Sequence, residues 1–158
     1  MTRARSEYRM SPILVAPPNR SLAARHPVVA DRDVLAALLL DAYRNTIDDE
    51  GEDIDDAYTA IDQYLARIER PYSFVAFEQD ILVAFSFVVV VNTIHYIDPV
   101  VVAPPSKRRG LGRATVQLCL GSLVAAGITE VGATITDGNT ASERLFAGLG
   151  FSRLGAYR

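Results

Sequence analysis

The sequence predicts a mixed α/β fold, in which helices flank a central sheet and the elements follow the order β-α-α-β-β-β-α-β-α-β. Its 158 residues are the length of one domain with one core. Short apolar runs of strand length alternate with longer segments whose apolar residues recur at helical spacing. The composition, 49% hydrophobic and 22% charged, is ordinary for a globular protein.

Residues 1–20 are predicted to be an N-terminal extension. This segment holds three prolines, which interrupt helices and strands. Only its apolar patch, residues 13–15, is a candidate edge strand. The domain itself is therefore predicted to cover residues 21–158.

The domain is predicted to begin with a short strand over 21–25, followed by two amphipathic helices. Asp31 or Asp33 can cap the first helix, and Pro71 ends the second. Between the two helices lies a strongly acidic stretch, residues 48–56.

Three strands follow, over 73–77, 81–91 and 94–102. The first two are joined by a three-residue link and should form an antiparallel hairpin. The third contains Pro99, which cannot donate a hydrogen bond to a neighbouring strand. If this strand is central, a β-bulge is expected near Asp98 and Pro99.

The last third of the chain is predicted to form a helix over 111–126, a strand over 129–136, a short helix over 140–149 and a final strand over 151–156. A strand–helix–strand unit makes its two strands parallel, so 94–102 and 129–136 should run in the same direction.

The chemistry is concentrated where the strand ending at residue 102 leads through a loop into the helix at 111. The loop reads Lys-Arg-Arg-Gly-Leu-Gly-Arg over 107–113. The first turn of a helix has unpaired N–H groups and a partial positive charge, and glycines let an anion approach the backbone. The loop is therefore a candidate pyrophosphate site.

Two other phosphate-binding loops do not fit. The chain has no Gly-x4-Gly-Lys-Ser/Thr sequence, so a Walker loop is excluded. A dinucleotide-binding fingerprint requires a third glycine, and that position is Thr115.

The loop resembles the acetyl-CoA-binding motif of the GNAT superfamily, Gln/Arg-x-x-Gly-x-Gly/Ala preceded by Val-x-Pro, with Lys107 at the Gln/Arg position. Residues 139–151 resemble its second signature, Asn-x-x-Ala-x-x-Leu-Tyr-x-x-x-Gly-Phe. The resemblance covers roughly residues 21–158. It implies a GNAT fold with a splayed parallel strand pair, and an N-acetyltransferase that moves an acetyl group from acetyl-CoA to a primary amine by direct attack.

The resemblance also implies a set of binding residues. The pyrophosphate lies on the loop, the pantetheine arm lies between the parallel strands, and the start of the second signature contacts the cofactor. The residues expected to bind acyl-CoA are Val100, Val101, Val102, Lys107, Arg108, Arg109, Gly110, Leu111, Gly112, Arg113, Asn139, Ser142 and Phe146.

Direct attack requires a base that accepts the proton of the acceptor ammonium. Asp98, His95 and Tyr96 are the catalytic candidates on the bulged strand. Each has a structural alternative, because Asp98 can simply form a turn before proline and the other two can pack in the sheet. A bulge resets the alternation of side chains, so the sequence does not predict which of the three faces a site.

Two departures from the family pattern matter. Phe146 stands where the family has its proton-donating tyrosine, so Tyr96, Ser142, water or an unassisted thiolate departure must replace it. The chain also ends after one final strand where many relatives have two. The patch at 13–15 can fill that gap within the chain or between two chains, which makes a homodimer a hypothesis.

The acceptor is not predicted beyond a small-molecule or peptide amine. The acidic stretch can attract a cationic acceptor or can be a solvated loop. Cys119 is expected to be a packed side chain. A non-catalytic acyl-CoA-binding regulatory module is the alternative function, since Phe146 cannot donate a proton.

Other classes of partner are not expected. The net charge of −3 argues against nucleic acid. Two histidines and one cysteine do not make a metal site. The longest apolar run, residues 81–91, is too short to span a bilayer, which takes about 20 residues. We therefore expect a cytoplasmic protein that does not bind membranes.

Overall fold

The computed structural model describes residues 3–16 and 21–157. Within them, one seven-stranded sheet has the order β2-β3-β4-β5-β6-β1-β7. The strands are β1 (Arg5–Met10), β2 (Ala23–Arg25), β3 (Phe74–Glu78), β4 (Ile81–Val91), β5 (Ile94–Val102), β6 (Val131–Thr136) and β7 (Ser152–Ala156). The α-helices are α1 (Arg32–Tyr43), α2 (Ile54–Arg67), α3 (Leu111–Ala125) and α4 (Thr140–Leu149).

The predicted mixed α/β fold is confirmed. β3 and β4 form the antiparallel hairpin, and β4 pairs antiparallel with β5. β5 and β6 are parallel but pair only at His95–Val131 and Tyr96–Gly132. The splayed parallel pair is therefore present, and it opens after Tyr96.

The prediction that residues 1–20 form an extension, with a candidate strand only at 13–15, was wrong. Residues 13–15 are not in a strand, whereas Arg5–Met10 form β1, an inner strand between β6 and β7. The buried positions of this strand include a polar residue, Ser6, so the alternation of buried and less buried positions does not appear as an alternation of apolar and polar residues in the sequence. β1 takes the place of the strand that was expected to be missing from the end of the sheet. The absence of that strand therefore no longer suggests a homodimer. Residues 1–2 and 17–20 of the predicted extension lie outside the described residues.

In the described part of the chain, two large apolar cores cover the two faces of the sheet, and a smaller third cluster contains Val83 and Leu111. The helices α1 and α2 pack on one face around Phe85 and Phe87. The helices α3 and α4 pack on the other face in a core that contains Cys119, which is fully buried as expected. No helix in the described part of the chain is long and apolar enough to cross a membrane.

The predicted bulge is present in β5. Val88 pairs with Ile97 and Ser86 pairs with Val100, so two steps along β4 correspond to three along β5. Asp98 and Pro99 lie within these three steps. Beyond the bulge, β5 stays paired with β4 but has separated from β6, which leaves room between the two strands.

Candidate active site

A cavity of about 330 Å3 opens where β5 and β6 separate. One wall is formed by the bulge and by β6, and another by the start of α4. The α1–α2 connection and the start of the chain border the mouth. The lining residues are Arg3, Arg5, Tyr43, Asp48, Glu50, Glu52, Tyr64, Ile97, Asp98, Pro99, Val100, Thr134, Ile135, Thr136, Asn139, Ser142 and Phe146.

Asp98 is the carboxylate placed by the bulge. Its Oδ1 accepts a hydrogen bond of 3.1 Å from the Tyr64 hydroxyl, and its Oδ2 lies 4.0 Å from the guanidinium of Arg67. Its side chain is 27% exposed. Burial raises the pKa of Asp98, and the positive charge of Arg5 and the Tyr64 hydrogen bond oppose this only in part. A carboxylate with a raised pKa is a better proton acceptor than an exposed one.

Two tyrosine hydroxyls line the same cavity. Burial raises the pKa of both Tyr43 and Tyr64, and the nearby charge of Asp98 raises each further. Both side chains are therefore neutral at physiological pH and can donate hydrogen bonds. The Tyr64 hydroxyl is engaged with Asp98. For Tyr43, the described residues contain no hydrogen-bond partner of the hydroxyl.

The other two catalytic candidates do not lie with Asp98. The Tyr96 hydroxyl donates to Glu7 Oε1 at 2.5 Å, and burial raises the pKa of Tyr96 to about 12. His95 packs edge-on against Tyr72, with the ring centroids 5.7 Å apart. Neither side chain lines the cavity. The structure thus separates the three residues that the sequence proposed together.

The predicted phosphate loop leads into α3 as expected. Gly110 has a φ of +78° and begins the helix, a backbone conformation that favours glycine. The first helical hydrogen bond runs from Ala114 N–H to Gly110 C=O, at 3.0 Å. The N–H groups of Leu111, Gly112 and Arg113 precede it and by helix geometry have no acceptor within α3.

The basic side chains of this loop differ in their surroundings. The Lys107 ammonium donates to the backbone oxygen of Ala42, at 3.2 Å, which ties it to the end of α1. The Arg109 guanidinium makes two contacts with Glu78, at 3.1 and 2.9 Å. Arg108 is exposed, and Arg113 is half-buried. The loop is thereby anchored at two points on the protein.

The valines of β5 point in alternate directions. Val100 lines the cavity, Val101 is buried in the core beneath α1 and α2, and Val102 is half-buried. A β-carbon added to Gly112 would lie 3.4 Å from Val102 and 3.7 Å from Leu145. A β-carbon at Gly112 would thus make ordinary van der Waals contact with β5 and α4, whereas a larger side chain would have to displace these neighbours.

The start of α4 brings the predicted binding residues to the cavity. Asn139 caps the helix, since its Oδ1 accepts from the Ser142 N–H at 3.2 Å. Its amide also donates to Asp48 at 3.1 Å, and Thr136 donates to the same carboxylate at 2.6 Å. Phe146 lines the cavity with its ring edge-on to that of Phe151.

Sequence analysis missed several lining residues. Arg3 and Arg5 lie in a segment predicted to be irregular, and no local pattern shows that β1 is inserted beside β6. The position of Tyr64 in its helix predicts a side chain that packs in the core. Its contact with Asp98 joins residues 34 positions apart in the sequence. Such contacts depend on tertiary structure and have no local signature.

An open sheet with a parallel pair that separates beside a helix N-terminus defines the class of this protein. Residues 33–151 match the model of the acetyltransferase (GNAT) family. The chain therefore belongs to the GNAT acetyltransferase family.

Solved structures share this fold at low sequence identity. A GCN5-related N-acetyltransferase from Sphaerobacter thermophilus superposes with a TM-score of 0.74 at 17% identity, over 98% of this chain and 50% of that one. The ribosomal-protein-S18-alanine N-acetyltransferase from Escherichia coli gives 0.64 at 20% identity, over 84% and 78%. AAC(6')-Iy, in complex with the bisubstrate analogue CoA-S-monomethyl-acetylneamine, gives 0.64 at 16% identity, over 84% and 92%.

The extent of the match differs among these structures. The chain spans about half the length of the Sphaerobacter protein, and 48% of a Drosophila protein that it also resembles. The comparison with curated protein sequences found no match.

Proposed function

We propose that the protein is an N-acetyltransferase that transfers an acetyl group from acetyl-CoA to a primary amine. The observation that carries this proposal is the cavity between β5 and β6. The half-buried carboxylate of Asp98 lines this cavity, and Val100, which also lines it, lies beside Gly112 at the start of α3. Membership of the GNAT family and the similarity to AAC(6')-Iy, solved with a CoA-containing analogue, support the same function.

The chain offers a suitable surface for acyl-CoA. The N–H groups at the start of α3 suit the pyrophosphate, because they are donors at the positive end of a helix dipole. Arg108 and Arg113 add positive charge. Beyond the bulge, β5 pairs with no strand on its β6 side among residues 3–16 and 21–157, so its backbone groups are available to an extended amide-containing chain such as pantetheine. Asn139, Ser142 and Phe146 complete this surface.

Asp98 is our proposed general base. An acceptor amine reaches the enzyme as an ammonium ion and becomes nucleophilic when it loses a proton. Asp98 accepts that proton while the amine nitrogen forms a bond to the thioester carbon. Tyr64 holds the carboxylate in place through its hydrogen bond.

Phe146 cannot assist the departure of the CoA thiolate, so any assistance must come from another group. The Tyr43 hydroxyl lines the cavity, and its raised pKa keeps it protonated. We assign to Tyr43 the donation of a hydrogen bond to the departing sulfur as the C–S bond breaks, so that CoA leaves as a thiolate stabilised by this bond and takes its proton from solvent. Tyr96, the earlier candidate, is committed to Glu7 outside the cavity.

A thermal unfolding experiment tests the donor. At a hundred times its Kd, acetyl-CoA should raise Tm by roughly 5–10 °C, whereas NAD and ATP should not. Gly112→Val should weaken this shift, because the branched side chain beside Val102 and Leu145 would displace the start of α3 and the N–H groups that we assign to the pyrophosphate. Gly121→Val is the matched control on the same helix, where an added β-carbon meets nothing within 4 Å.

Comparing each variant with and without ligand separates binding from stability. An equal shift with all three nucleotides, or none with acetyl-CoA, would contradict the proposed donor. CoA release in the presence of a panel of amines then distinguishes an enzyme from the non-catalytic acyl-CoA-binding module. Binding without release for every amine would favour the module.

A further inference from the structure

Strand β1 brings a positive charge into the cavity that the acyl-transfer reaction itself does not require. Along β1, Ser6, Tyr8 and Met10 are buried, and the last two belong to the core on the face that carries α3 and α4, whereas Arg5 is exposed. Arg5 therefore extends toward the opposite face of the sheet, the face that carries α2 and Asp98. Its side chain lines the cavity.

The Arg5 guanidinium is held in place by a neutral group. Its Nη2 donates to the backbone oxygen of Thr134, at 3.0 Å. Within the described residues, no carboxylate lies within 4.0 Å of Arg5. The positive charge of Arg5 acts on two other lining residues, since it lowers the pKa of Asp98 and of Tyr43 against the larger effect of burial. Arg5 thus lies close to both, with its charge not neutralised by an ion pair.

The other acidic lining residues, Asp48, Glu50 and Glu52, keep their negative charge, because the groups that donate hydrogen bonds to Asp48 and Glu52 are neutral. Within the described residues, none of the three lies within 4.0 Å of the Arg5 guanidinium, so they form no ion pair with it. The lining of the cavity therefore combines the carboxylate of Asp98 with the cation of Arg5, which is exposed and accessible to a ligand.

Given the proposed function, we propose that the acceptor amine also carries a carboxylate, which Arg5 binds while the amine is directed to Asp98. An arginine fork suits a carboxylate, because two N–H groups can donate to its two oxygens. A polyamine would instead place a second ammonium near Arg5 or out at the mouth. The acceptor class is then an amino acid or another small amine with a carboxylate group.

Matched pairs of acceptors test this inference. Acetylation is measured by CoA release with amino acids of increasing length, such as glycine, β-alanine and γ-aminobutyrate, and with the carboxamide of each. Putrescine and spermidine represent polycations. For the best carboxylate acceptor, we expect kcat/KM to exceed that of its carboxamide by roughly ten- to a hundredfold, mainly through KM.

Variants link this preference to Arg5. Arg5→Gln should bring the ratio of carboxylate to carboxamide close to one, and Arg5→Lys should restore part of it because the charge is kept. Arg144→Gln makes the same charge change at an exposed position of α4 that does not line the cavity, and it should leave the ratio unchanged. The acetyl-CoA Tm shift of each variant reports whether the cofactor surface is intact.

The outcomes separate the two proposals. Equal turnover of carboxylates and carboxamides, or a preference for polyamines, would overturn this inference and leave the N-acetyltransferase function standing. A carboxylate preference that survives in Arg5→Gln would also overturn it. An absence of turnover with every amine would overturn the proposed function, and this inference with it.

Discussion

The two halves of β5 belong to one strand but have different uses. Before the bulge, β5 is paired on both sides, and His95 and Tyr96 pack against aromatic neighbours. After the bulge, β5 is paired with β4 alone, and Asp98 and Val100 line a cavity. Residues two positions apart in the sequence thus contribute to stability in one case and to a site in the other. The difference arises from the loss of one neighbouring strand.

The largest effect expected from this comparison is that of Asp98→Asn. Loss of a general base should lower kcat by roughly 10²- to 10⁴-fold. The folded protein should keep or gain stability, because burial disfavours the ionised carboxylate and the asparagine oxygen can still accept from Tyr64. Steady-state kinetics and thermal unfolding at neutral pH measure the two effects.

Asp48→Asn is the matched control, since it removes a carboxylate from the same cavity. Its expected loss of kcat is less than about tenfold, because we assign it no proton transfer. Equal losses in the two variants would contradict the role given to Asp98.

The next expected effect is on the pH dependence. The ionised form of Asp98 accepts the proton, so kcat/KM should fall about tenfold per pH unit below its pKa. Because burial raises that pKa, the acidic limb should lie above the usual value of about 4. It should not move between acceptors of different amine pKa, and it should be absent in Asp98→Asn.

The raised pKa of Asp98 also affects stability, but in the opposite direction: activity rises with pH, whereas the contribution of Asp98 to stability falls. The folded protein binds this proton more tightly than the unfolded chain does. Its contribution to stability is therefore present below the unfolded pKa and is lost as pH rises through the folded pKa.

An acidic limb of kcat/KM at or below pH 4 would contradict the raised pKa.

Gly132→Ala tests the paired half of β5. A β-carbon at this position would lie 2.6 Å from the ring of Tyr96, which is buried. Relieving this overlap should cost about 1–3 kcal/mol of unfolding free energy. Chemical denaturation measures the cost, and kcat of the folded fraction should stay within a few-fold of wild type. A loss of kcat without a loss of stability would show that the paired half also takes part in the site.

Tyr96→Phe is expected to have the smallest effect. It removes the hydrogen bond to Glu7 and leaves that carboxylate to Arg9, which lies 2.8 Å away. The expected cost is about 1 kcal/mol of stability with little change in kcat. A hundredfold loss of kcat would instead restore Tyr96 as a proton donor.

Sequence reasoning was most successful where the cause is local. Pro99 predicts the bulge because proline cannot donate to a neighbouring strand. Gly110 and Asn139 predict two helix starts, since each has a conformational or capping reason within a few residues. The surface that we propose for acyl-CoA, apart from the orientation of individual side chains, follows from these local features.

Prediction failed where the cause lies far along the chain. β1 pairs with β6, about 130 residues away, and no local property of Arg5–Met10 indicates that partner. The directions in which the side chains of Asp98 and Tyr96 point also depend on which strand lies beside each residue.

The sequence by itself determined the order of helices and strands from residue 21 onward, the GNAT family and the loop that suits a pyrophosphate, because short-range backbone preferences and motifs specify these. Only the tertiary structure decided that Asp98 faces Tyr64, that Tyr96 faces Glu7, and that Arg5 enters the cavity. These contacts join segments whose separation in sequence is large. They are set by the packing of the whole sheet, in which each strand must bury one face and satisfy its backbone hydrogen bonds.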